Sequence, residues 1–180
     1  MEGDREVAMD ALVASQPDNV YILLGANILC NTQDEVLIAY YKEMLEQMKA
    51  RLHPDVKYYI QSITPVRPDA KFSMDRIHAL NNALAQLAQQ EGVYFLDLNE
   101  PLADDEGFLR GEFGGYDGIH MTKAGYAAWV DYLTTHTAYS PRNPYIPDAA
   151  PYSPPAGAPT ESKIKQPPNA FAFGGCFIYL

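Results

Sequence analysis

The sequence predicts an α/β protein, a three-layer α/β/α sandwich built around a parallel sheet. Short apolar runs rich in strand-forming residues recur at 20–24, 56–66 and 93–98. The first of them is continuously apolar rather than alternating, as expected of a strand covered on both faces. Between the runs lie helix-length segments with apolar residues three and four apart. Strands separated by full helices imply right-handed crossovers and hence parallel pairing.

The elements follow in order. Residues 4–15 read as a helix that Pro17 and Asp18 end. VYILL (20–24) is the first strand. In the next segment Thr32 and Glu35 match a capping box, which satisfies orphaned backbone N–H groups at a helix start. Leu37, Tyr41, Met44, Leu45, Met48 and Leu52 then form one apolar stripe until His53 and Pro54 stop it. VKYYIQSITPV (56–66) is a second strand running into Pro65. A third helix places Ile77, Leu80, Leu84 and Leu87 on one face, with Ser73 as N-cap and Gly92 as C-cap. VYFLDL (93–98) is the third strand. A Gly-rich acidic loop follows, and a last helix begins near Thr122 with Tyr126, Trp129, Val130 and Leu133 facing inward.

These elements make one domain over residues 1–137. Residues 138–180 differ in character: nine of the 14 prolines fall there, with no helical or strand period. Such a segment is expected to stay extended and disordered, because it has too little apolar surface to offset the entropy of ordering. Its end, AFAFGGCFIYL, is apolar and has three readings: it docks on the domain, it docks on a partner, or it is an ordinary terminus.

A formal charge of −10 and a pI near 4.7 argue against nucleic acid and anionic membrane surfaces, which select for clustered Lys and Arg. No apolar run reaches the roughly 20 residues of a membrane span, and MEGDREVAMD lacks the basic and apolar regions of a signal peptide. The chain is therefore expected to be soluble, and cytoplasmic unless a signal lies upstream. Cys30 and Cys176 are too few for a disulfide framework or a closed zinc site. Asp104, Asp105 and Glu106 miss the EF-hand spacing and read as a solvated turn. His53, His78 and His136 read as surface or helix-end residues, and Asp97 as the partner of the turn after its strand.

In an open parallel sheet, functional groups gather in the loops at the carboxyl ends of the strands. The first strand exits into GANIL, placing Gly25 and Asn27 there; the loop after the third holds Asp117 and His120 three residues apart. A carboxylate beside an imidazole holds one ring tautomer and stabilises the imidazolium. A side-chain amide such as that of Asn27 can stabilise an oxyanion. The plainer reading of Asp117 and His120 is a hydrogen-bonded turn before a helix.

Taken together, VYILLGANIL, VKYYIQSITPVRP and DLNEPL…DGIHMTKAGYAAW resemble the SGNH (GDSL-type) hydrolase family over roughly residues 5–136. The resemblance implies a flavodoxin-like sandwich and esterase or lipase activity on small acyl or O-acetyl-sugar esters. It implies no metal and no organic cofactor. By position, Asn27 would be the oxyanion donor beside Gly25, His120 the general base and Asp117 its orienting carboxylate.

There are two departures. Ile28 stands where the family commonly has an aspartate, and the Gly-Asp-Ser block that carries the nucleophile is absent, as is the Gly-bearing second block. The first strand here corresponds to the family's third. Accordingly the sandwich is expected to be N-terminally incomplete, with the nucleophile unknown. One flank of VYILL is expected to be unpaired, open to a strand-completing partner or an oligomer. Of the serines, Ser15, Ser62 and Ser73 lie at a helix end, in a strand and at a helix start, and Ser140, Ser153 and Ser162 lie in the tail. None sits in the strand-to-helix turn that exposes a nucleophile. The alternative to an ester hydrolase is an inactive fragment or ligand-binding relic of the same fold.

Overall fold

The computed structural model describes residues 2–26, 29, 33–138 and 175–179, with residues 2–7 and 175–179 as backbone alone. The chain runs α1 (Glu2–Ser15), β1 (Asn19–Leu23), α2 (Asp34–Arg51), β2 (Lys57–Gln61), α3 (Met74–Glu91), β3 (Tyr94–Leu96), α4 (Asn99–Leu102), α5 (Lys123–His136) and β4 (Gly175–Tyr179). All strand pairs are parallel, in the order β3-β2-β1-β4.

Alternation along the strands sorts the core into two layers. Val20, Ile22, Tyr58 and Ile60 face one way and pack with Leu12, Leu37, Tyr41, Leu45, Met48, Ile77, Leu80, Leu84 and Leu87 from α1, α2 and α3. Tyr21, Leu23, Tyr59 and Leu96 face the other way, against Trp129, Tyr132 and Leu133 of α5 and Leu102 of α4. With a helical layer on each face, the fold is the expected α/β/α sandwich. In-register Tyr21, Tyr59 and Tyr94 stack across three strands with ring centroids 4.8 and 4.9 Å apart.

Five local expectations need correction. The N-cap of α2 is Gln33, without a side-chain cap bond; Thr32, on which the expected capping box rests, lies outside the described residues. Ser73 occupies the N-cap of α3 but likewise makes no side-chain cap bond, whereas Gly92 closes that helix at φ 65° as expected. The second strand stops at Gln61, and two residues on Asn81 takes over the backbone: its Oδ1 accepts from the Ile63 N–H at 2.8 Å and its Nδ2 donates to the Ile63 carbonyl at 3.0 Å. The acidic loop contains the short helix α4, and in α5 it is Tyr132 rather than Val130 that is buried.

The fifth concerns the edge. β1 has no unpaired flank: β4 pairs with it in parallel from Asn19↔Gly175 to Leu23↔Tyr179. The strand-completing segment thus belongs to this chain. The rest of the stretch expected to be an extended tail lies outside the described residues from residue 139 to 174.

Candidate active site

Three loops leave the carboxyl edge of the sheet, and packing joins them. After β1, Gly25 adopts φ 114°, and a Cβ there would lie 3.1 Å from Leu37 Cδ2 and 3.3 Å from Ile63 Cδ1. Only glycine satisfies both the backbone and the space. The buried Tyr41 hydroxyl anchors this exit, accepting from the Leu24 N–H at 3.0 Å and donating to the Leu24 carbonyl at 2.9 Å. Burial pushes the Tyr41 phenol well above its ordinary pKa, so it stays protonated. Sequence reading had placed Tyr41 only in an apolar stripe. Asn27 lies outside the described residues.

The loop after β3 returns beneath the loop after β2. Asp117 organises it: Oδ1 accepts from the backbone N–H groups of Ile119 and His120, each at 3.0 Å. Gly118 takes φ 70° between them, and the Gly115 N–H donates to the His120 carbonyl at 2.7 Å. The other carboxylate oxygen, Oδ2, lies 2.5 Å from His120 Nδ1. The Asp117 side chain is 26% exposed and that of His120 76%. The His120 ring bond, followed by the two backbone donors, holds the Asp117 carboxyl well below the usual carboxylate range.

The chemical consequence follows from the geometry. An ionised Asp117 accepts the proton on Nδ1, which leaves Nε2 with its lone pair facing outward as a base. The loop then passes directly into α5. Thr122 caps the helix, its Oγ1 accepting from the Gly125 N–H at 3.3 Å and donating to the Glu112 carbonyl at 2.7 Å. Farther along, the Trp129 indole donates to Gln61 Oε1 at 2.7 Å, tying α5 to the carboxyl end of β2. The turn that carries His120 is thereby referenced to the sheet.

The same edge of the sheet holds a polar link between two residues that the sequence reading names separately. Ser62, fully buried, donates to Asp97 Oδ1 at 3.3 Å and accepts from the Leu98 N–H at 2.8 Å. Asp97 Oδ1 also accepts from the Asn99 side-chain amide at 2.7 Å. Ser15 donates to the Leu12 carbonyl. Both hydroxyls are thus committed to local structure. Asp104 Oδ1 accepts from the Glu106 and Phe108 N–H groups, the solvated turn expected there. Among the described residues no cluster of three or more His, Cys, Asp or Glu side chains is placed to hold a metal ion. No described helix is long and apolar enough to cross a membrane.

The model of the GDSL-like lipase/acylhydrolase family matches residues 2–128. This chain belongs to that family. Solved structures agree with the architecture: a GDSL-like lipase from Bacteroides thetaiotaomicron is 22% identical at a TM-score of 0.52, covering 63% of this chain and 58% of its own. The aryl esterase of M. smegmatis gives 20%, 0.51, 66% and 60% in the same order. A carbohydrate esterase of family 3 from Talaromyces cellulolyticus gives 23%, 0.52, 68% and 57%. Identities this low establish the shared flavodoxin-like sandwich and no more. The chain spans about three fifths of the length of such structures. No curated protein matches it.

Proposed function

We propose that this GDSL-family chain provides the acid–base side of an ester hydrolase acting on small acyl esters. One observation supports the reading above the others: Oδ2 of Asp117 stands 2.5 Å from Nδ1 of His120, while the ring is three-quarters exposed at the carboxyl edge. In the reaction, Nε2 of His120 takes the proton from an attacking hydroxyl, whose oxygen bonds to the ester carbonyl. The same nitrogen then returns the proton to the departing alkoxide. Asp117 keeps the ring in the Nδ1–H tautomer and offsets the imidazolium charge. The oxyanion contacts are assigned in this reading to Gly25, at the exit of β1, and to Asn27, two residues on in the sequence. Small acyl esters, O-acetylated sugars among them, are the substrate class.

No described serine is assigned as the nucleophile in this reading: Ser62 is fully buried and bonded to Asp97, Ser15 donates to the Leu12 carbonyl, and Ser73 stands at the N-cap of α3, away from any tight strand-to-helix turn. The same observation favours a second reading, a ligand-binding relic that keeps the edge without turnover. The protein at its native length, assayed with 4-nitrophenyl acetate, separates them. The hydrolase reading expects turnover that His120→Ala and a serine-directed phosphonate each abolish. Turnover that survives both treatments refutes it, and no turnover above the His120→Ala control establishes the relic.

A further inference from the structure

Arg67, in the loop after β2, touches the turn that presents His120 in three ways. Its backbone N–H donates to the Gly118 carbonyl at 2.9 Å, and its Nη1 donates to the Gly115 carbonyl at 3.4 Å. Its methylenes roof the turn: a Cβ on Gly114 would meet Arg67 Cδ at 2.8 Å, and one on Gly118 would meet Arg67 Cβ at 3.1 Å. The guanidinium is itself held in place, because Nε and Nη2 grip both oxygens of Asp69 at 3.0 and 2.9 Å. A planar fork engaged on two edges fixes the whole side chain, which an ammonium cannot reproduce.

The carbonyl of Gly115 is where the turn closes, accepting also from the Gly118 N–H at 3.1 Å, while the Gly115 N–H holds the His120 carbonyl. Asp117 and His120 are the two side chains this closure brings together. We propose that Arg67, oriented by Asp69, is a positioning residue that locks the 115–120 turn so that Asp117 meets Nδ1 of His120. The inference rests on the reading of that pair as the acid–base element of the site. Arg67 touches neither ring nor carboxylate in this role and acts through the backbone between them.

A positive charge near an imidazole has an effect of its own, lowering the pKa of the ring, so the readout must separate charge from position. The tautomer of neutral His120 does so, because it follows where Oδ2 of Asp117 lies. Ring ¹⁵N chemical shifts of the full chain at neutral to mildly basic pH report it, with His120→Ala for assignment and Asp117→Asn as the unpaired reference. The wild type is expected in the Nδ1–H form. Arg67→Met keeps most of the methylene volume and is expected to shift His120 to the Nε2–H form of the Asp117→Asn reference. Arg67→Lys is expected to fall between them, and Asp69→Asn to move part of the way towards Arg67→Met. Far-UV circular dichroism of each variant confirms the fold. A wild-type tautomer in folded Arg67→Met overturns the inference and leaves the reading of the pair intact. A wild-type chain already in the Nε2–H form overturns the pair itself, and with it any role for Arg67 in setting it.

Discussion

Two aspartates at the carboxyl edge of this sheet, Asp97 and Asp117, make nearly the same local motif and serve opposite ends. Each follows β3, and in each Oδ1 accepts from the backbone N–H two residues ahead, at 3.0 Å. Each meets a side chain able to exchange protons, Ser62 in one case and His120 in the other. The difference is solvent. Ser62 is fully buried and its hydroxyl also satisfies the Leu98 N–H, whereas the His120 side chain is 76% exposed. A buried hydroxyl with both its bonds made is a structural joint, since breaking either costs desolvation. An exposed ring with one nitrogen held by a carboxylate has the arrangement that the proposed general base needs.

The largest break in this comparison comes from activity. In the protein at native length, His120→Ala is expected to lower kcat/KM for 4-nitrophenyl acetate by about 10²- to 10⁴-fold, the usual worth of a positioned general base. Ser62→Ala should leave that value unchanged. A loss in Ser62→Ala as deep as in His120→Ala would exchange the roles assigned to the two groups.

On stability the order reverses. Ser62→Ala strands the buried Leu98 N–H, which costs about 1–3 kcal/mol, while Asp97 Oδ1 keeps its two bonds from Asn99. His120→Ala, at a largely exposed side chain, should shift the urea midpoint far less. Equal midpoints for the two variants would show that the Ser62 joint contributes nothing.

A comparable cost is expected where α5 meets the sheet. Gln61 is fully buried; its Oε1 accepts from Trp129, while its Nε2 has no protein partner among the described residues. Trp129→Phe leaves the whole amide unpaired, at about 1–3 kcal/mol. Adding Gln61→Leu should recover much of that loss, because replacing both partners by apolar groups removes the desolvation penalty. A double variant that unfolds as readily as the sum of the singles would deny the coupling.

How much of this was legible in the sequence follows from range. Residues 117–122 build their turn from neighbours, so Asp117 and His120 stood out at a spacing of three, and the start of the last helix near Thr122 was visible too. Helical stripes were legible for the same reason, Leu37 to Met48 above all. Asp97 was assigned to its turn, but its bond to Ser62 spans 35 residues, and only the pairing of β2 with β3 brings them together. The Asn81 amide that ends β2 acts from 18 residues away, and nothing in VKYYIQSITPV marks where it intervenes. β4 was hidden by composition: a proline-rich stretch argues against order, and the five residues that pair with β1 lie beyond it.

The smallest expected effect concerns protons, and its sign is fixed by the direction in which Asp117 is shifted. The His120 ring bond, then the His120 and Ile119 N–H groups, hold this carboxyl below the ordinary carboxylate range. A group whose pKa is lower in the folded than in the unfolded chain adds stability that is complete above the unfolded value, about 4. That contribution disappears as pH falls below 4 toward the folded value. The wild-type urea midpoint should therefore fall more steeply between about pH 4 and pH 2 than that of Asp117→Asn, which has no carboxyl to protonate. His120→Ala removes the largest cause and keeps the two backbone donors, so its acid limb should lie between them. Solvent screening at this exposed pair keeps the difference modest. Superimposable acid limbs for wild type and Asp117→Asn would mean that the pair forms no tighter in the folded chain than in the unfolded one, and the 2.5 Å contact would lose its claim to orient the ring.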